Sequence, residues 1–187
     1  MNIIIEGLWF SPRERFIEEI ASNKPENINN VLCCQQILPG DNFKEIIRAL
    51  TSSASTWRSF ATLTDDHTIF EGSPMSLQAY TSALLEDKQE HNLFKQITDG
   101  LEELNNPPHL IVIMLCDPLD APERHHDLYV DMTLDEIERT QDALIQWSQD
   151  MQQKGCQVIN IKPPKSELDW DRWYTGVMSI INTYTKG

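Results

Sequence analysis

The residues that invite a chemical reading come at the start of the chain. An apolar run, Asn2 to Glu6 (NIIIE), is followed by Gly7-Leu8-Trp9-Phe10-Ser11-Pro12-Arg13-Glu14. A strand, a glycine and a helix in that order is where a phosphate-binding loop sits, and the pattern for such a loop is G-x-x-x-x-G-K-[ST]. Laid on Gly7, the last three positions of that pattern are Pro12, Arg13 and Glu14. A working loop cradles phosphate with backbone N–H groups at a helix N-terminus. Pro12 has no N–H to offer and fills space that glycine leaves open. Arg13 keeps the charge of lysine on a planar fork that needs another approach to phosphate. Glu14 replaces a magnesium-holding hydroxyl with a carboxylate.

The same residues have a reading that needs no ligand. Ser11-Pro12-Arg13-Glu14 is S-x-x-E with proline second, the pattern of a capping box with proline at the first helical position. Ser11 would accept from the N–H of Glu14, and Glu14 would reach back to the N–H of Ser11. We read the corner as self-capped, its amides satisfied from within, and expect neither cofactor nor metal there.

Other chemistry-bearing types are sparse. His125-His126 lie between Glu123 and Asp127, but adjacent histidines seldom face one ion and the spacing fits no metal motif, so a solvated loop is expected. The cysteines are Cys33, Cys34, Cys116 and Cys156, with no CxxC, and are read as buried reduced thiols. That usage points to an intracellular, cytoplasmic location. No apolar run approaches the ~20 residues of a membrane span, and no signal-peptide pattern is read at the N-terminus. The net charge of −14 disfavours nucleic acid and anionic membranes as partners.

The elements that would position these residues alternate. Strands are predicted at 2–6, 30–36, 67–70, 110–116 (LIVIMLC, the clearest) and 157–161. Helices are predicted at 12–22, from Phe43 through Leu50, near Trp57 to Thr64, and at 76–87 and 91–104. A long helix should open at the capping box Thr133-Leu134-Asp135-Glu136, with Ile137, Thr140, Leu144, Trp147 and Met151 inward. Trp170, Trp173, Val177, Ile180 and Tyr184 mark a terminal helix. Continuous apolar strands alternating with helices predict an α/β fold, a parallel sheet of about five strands covered by helices on both faces. One domain over 1–187 is expected.

With IIIEG at the start, FEGSP (70–74) mid-chain, LIVIMLCDP (110–118) and the helix opening TLDEIE, the chain resembles the deoxynucleoside kinase family, with thymidylate kinases as more distant relatives. The resemblance implies a P-loop nucleoside or nucleotide kinase-like fold over nearly the whole chain. It also implies where functional residues should be, and most are changed. The phosphate loop is degenerate at Gly7, Ser11, Pro12, Arg13 and Glu14. The family's catalytic glutamate after strand two falls on Gln35 or Gln36, and an amide cannot act as a general base near neutral pH. A base-recognising glutamine corresponds to Arg58. The arginine of the mid-chain motif is Gly72, which leaves Glu71 without that cationic neighbour. The lid, Asp117 to Met132, carries one arginine, Arg124, among Asp117, Asp120, Glu123, Asp127 and Asp131.

The expectation is therefore a catalytically inactive kinase-like protein, a pseudoenzyme kept as a binding, structural or regulatory subunit. An active kinase would use ATP and magnesium through Arg13, Glu14, Gln35, Glu71 and Arg124. A retained nucleoside pocket would include Trp57, Arg58, Phe70 and Glu71, although Trp57, Phe60 and Phe70 read more simply as core. A protein partner or a homodimer is expected, the dimer by resemblance through helices in 43–64 and 76–104. The aromatic terminal helix should dock on its own sheet, with a protein-binding surface as the alternative.

Overall fold

The computed structural model describes residues 1–23, 25–37, 41–61, 67–85, 87–101, 108–120 and 133–185. Five strands, β1 (Asn2–Gly7), β2 (Asn30–Cys33), β3 (Thr68–Glu71), β4 (Leu110–Met114) and β5 (Gln157–Ile161), form one sheet. Its order is β2-β3-β1-β4-β5 and every pairing is parallel. β1 is central, paired from Ile3↔Leu110 to Gly7↔Met114 on one side and from Asn2↔Thr68 to Ile5↔Glu71 on the other.

The helices are α1 (Arg13–Asn23), α2 (Phe43–Ala61), α3 (Leu77–Leu84), α4 (Lys88–Asp99), α5 (Leu134–Gln153) and α6 (Trp170–Thr185). They cover both faces. Because successive strand side chains point to opposite faces, Ile3 and Ile5 enter one core with Leu110 and Val112, under α1 and α6. Ile4 enters the other with Phe70, Ile111 and Ile113, under α2, α3, α4 and α5. Burial on both faces explains why the strands read as unbroken apolar runs rather than alternating ones.

Two helices expected between Phe43 and Thr64 are one: α2 runs unbroken from Phe43 to Ala61. Its interior holds no glycine or proline, so nothing local ends it at Leu50. Asn42 and Glu45 start it reciprocally, Asn42 N donating to Glu45 Oε2 (2.9 Å) and Glu45 N to Asn42 Oδ1 (3.2 Å). The terminal helix docks as expected through Trp170, but its buried stripe continues with Val177, Met178 and Ile181. Ile180 and Tyr184, which helped to mark the helix in the sequence, are 42% and 38% exposed. Cys34, Cys116 and Cys156 are buried and Cys33 lies at the surface, at the end of a strand that is only half-covered; none of the four is in a disulfide. No helix among the described residues is long and apolar enough to cross a membrane.

Candidate functional site at the first strand-to-helix corner

The carboxyl ends of β1 and β3 lie side by side, which is where open parallel sheets expose their sites. Glu6 ends β1 with no solvent exposure, and Glu71 ends β3, 6% exposed. Two carboxylates this deep require partners. Arg13, at the first position of α1 and 4% exposed, turns back over them. Its Nη1 reaches Glu6 Oε2 at 3.3 Å and donates to the Gly7 carbonyl at 2.8 Å. Its Nε donates to Glu71 Oε1 at 3.1 Å, and its Nη2 to Gln36 Oε1. Gln36 closes the ring by donating from Nε2 to Glu71 Oε1 at 3.1 Å.

The far side of Glu6 faces α3. Ser76 Oγ donates to Glu6 Oε1, while the Tyr80 hydroxyl lies 2.7 Å from the Gly7 carbonyl and 3.3 Å from Glu6 Oε2. Burial dominates the electrostatics here. It raises the Glu6 carboxyl above its ordinary 4.5, and the opposing pull of Arg13, Ser76 and Tyr80 does not restore it. Burial and the Glu6 charge likewise drive the Tyr80 phenol upward. For Arg13, burial pulls down but Tyr80, Glu6 and Glu71 outweigh it, so the guanidinium stays charged.

Two glycines permit this corner. A Cβ on Gly7 would stand 2.6 Å from Ser11 Oγ and 3.0 Å from the Met114 carbonyl oxygen, so only glycine lets Ser11 fold in against β4. Gly72 follows Glu71 with φ +73°, a region that strains any residue with a Cβ. An arginine there would carry that strain, and Arg13 supplies the cation instead.

Neither a protein-family model nor a curated protein sequence matches this chain. Solved structures do. Three of deoxyadenosine kinase from M. mycoides superpose over nearly its full length. One, with the products dCMP and a flexible dCDP bound, gives a TM-score of 0.71 at 14% identity, covering 98% of this chain and 100% of that one. The dATP-bound structure gives 0.72 at 14% identity, with 97% and 100% covered. The dCTP-bound structure gives 0.72 at 13%, with 98% and 100% covered. The chain has a deoxynucleoside kinase-like fold.

On that fold the expected site residues separate into groups. Arg13 and Glu71 come together, joined by Gln36; Gln35, the other candidate after strand two, is exposed, and its carbonyl accepts from Ser53 Oγ at 2.8 Å. Glu71 is not without a cation, contrary to expectation, because Arg13 reaches it from the loop. Glu14 is exposed in the first turn of α1. Trp57 and Phe70 are core, ring centroids 4.6 Å apart, while Arg58 projects from the exposed side of α2. Arg124, the histidine pair and the lid's remaining segment 121–132 lie outside the described residues.

The capping box expected at Ser11 and Glu14 does not form. The Pro12 carbonyl accepts the helical bond from Phe16 N at 3.0 Å, so the cap position falls on Pro12, which has no side-chain oxygen. Ser11 N instead donates to the Leu8 carbonyl at 2.9 Å, and Ser11 Oγ, buried beside Gly7, has no hydrogen-bond partner among the described residues. Sequence reasoning also missed Glu6, Ser76 and Tyr80. A charged residue ending an otherwise apolar strand was the available signal for Glu6; nothing local marked the two on α3.

Proposed function

We propose that this chain is a catalytically inactive deoxynucleoside kinase-like protein serving as a binding, structural or regulatory subunit. One observation carries the reading: the cation standing at the loop's lysine position is turned inward onto Glu6, Glu71, Gln36 and the Gly7 carbonyl. Four of the five N–H donors of this buried guanidinium are spent inside the protein. The surroundings agree. Pro12 withholds one backbone donor, and exposed Glu14 sets negative charge in the first turn of α1, where the helix dipole would otherwise draw an anion. These residues do not fit a magnesium–triphosphate. Phosphoryl transfer rests on positioning and electrostatics, and one well-placed arginine can be worth ~10³-fold in rate. A protein with its cation withdrawn and its donor removed keeps a scaffold rather than a catalyst.

The test is direct. The intact chain, incubated with ATP, magnesium and each of the common deoxynucleosides, should transfer no phosphate above an enzyme-free control, and ATP with magnesium should leave Tm unchanged. Saturable turnover that disappears in both Arg13→Ala and Arg13→Lys would establish the active-kinase alternative and end this reading.

A further inference from the structure

The outward side of α6 carries a groove of about 480 Å³ that the kinase-like site does not use. Gly176 lines it, flanked at helical spacing by Trp173 and Ile180, together with Ile161 and Pro164. Gly176 is unusual. It sits inside an exposed helix, where glycine disfavours the helix relative to alanine. A Cβ there would meet nothing within 4 Å, and no positive φ requires glycine. Neither packing nor backbone geometry accounts for it, and it lies in the lining of the groove, where a side chain would project into open space.

The groove is also preorganised. Trp173 is held from behind by Phe16, edge-on at 5.6 Å, and by Trp170 at 5.0 Å. A rigid tryptophan beside an open apolar slot is the composition of an interface hot spot. Its rim is basic, with Lys162 and Arg172 against Asp169, in a chain whose overall charge is −14. A second copy in a twofold contact would set basic rim against basic rim.

Resting on the binding-subunit reading, we infer that this groove docks an acidic segment of a protein partner, one bulky apolar side chain lying over Gly176 and neighbouring carboxylates meeting Lys162 and Arg172. The test is a display library of random peptides selected against the intact protein. We expect an enriched pattern of one aromatic or large aliphatic residue flanked by aspartate and glutamate. Fluorescence polarisation of the best peptide should show micromolar, salt-sensitive binding. Gly176→Leu should weaken it at least tenfold while leaving Tm unchanged or higher, which separates a filled groove from a damaged fold. Arg172→Glu should weaken it several-fold. No enrichment, a pattern without acids, or equal binding to Gly176→Leu would overturn the proposal. So would a dimer of the unmodified chain that Gly176→Leu dissolves, which assigns the groove to a second copy. The phosphate-transfer assay is independent: turnover with peptide binding intact would end the inactive reading and spare the groove, and the reverse result would do the opposite.

Discussion

The same four-residue pattern begins two helices and behaves differently at each. At α5, Thr133-Leu134-Asp135-Glu136 forms a complete capping box: Thr133 Oγ1 accepts from Glu136 N at 3.3 Å, and Thr133 N donates to Glu136 Oε2 at 2.6 Å. At α1, Ser11-Pro12-Arg13-Glu14 forms neither bond. Thr133 is exposed and Glu136 half-buried, with no buried charge among the described residues beside them to compete for the local hydrogen bonds. Ser11 lies in a buried corner where Gly7 admits its side chain and two sunken carboxylates draw Arg13 inward. The tertiary demand is larger than the ~1 kcal/mol a cap contributes, and it wins. The corner is organised by an internal cation, not by a self-sealed helix end.

The sharpest way to break this comparison is to remove the cation. Arg13→Ala leaves Glu6 and Glu71 buried without their shared partner, and breaking a buried pair typically costs about 3 kcal/mol or more. For a chain of this size that is a Tm decrease on the order of 10 °C. Urea denaturation should show the same loss. A change under about 1 kcal/mol would mean that Arg13 is not the counter-ion of the corner.

What the sequence made legible follows from the range of the interactions. The central strands, the covered sheet and the α5 cap were readable because apolar runs and local caps declare themselves within a few residues. Glu6 to Ser76 and Arg13 to Glu71 are contacts across 70 and 58 positions. Only the fold brings them together, and no spacing rule predicts that one arginine will serve two strand ends. The terminal helix illustrates the intermediate case. Its docking was evident from its aromatics, but these did not fix the inward stripe: Ile181 is buried while Ile180, about 100° around the helix, is exposed.

The second contrast is in pH dependence. Glu6 titrates above its ordinary 4.5 in the folded protein because burial disfavours its charge. The folded state then binds the proton more tightly, so this contribution is full below 4.5 and is lost as pH rises through the elevated folded value. Glu136 titrates below 4.5, held by the Thr133 backbone N–H and then its hydroxyl. Its contribution is full above 4.5 and is lost as pH falls through the depressed folded value. Denaturation followed against pH should therefore change in opposite directions in two variants. Glu6→Gln should flatten the decline above 4.5, and Glu136→Gln should flatten the loss below it. Equal profiles for both would refute the assigned environments. At fixed neutral pH, Thr133→Ala should cost about 1 kcal/mol, the ordinary value of an N-cap.

The smallest effect is the most discriminating. If Ser11 capped α1, Ser11→Ala would cost as much as Thr133→Ala, since the two replacements would remove the same bond. With its Oγ buried and unpartnered, the hydroxyl contributes no hydrogen bond and carries a desolvation cost in the folded state. The substitution deletes that burden and leaves a gap of one oxygen beside Gly7. We expect a change within about 0.5 kcal/mol, of either sign. Measured side by side by urea denaturation, Thr133→Ala should fall well below the unmodified chain while Ser11→Ala stays near it. Equal losses would restore the sealed helix end as the local structure of this corner.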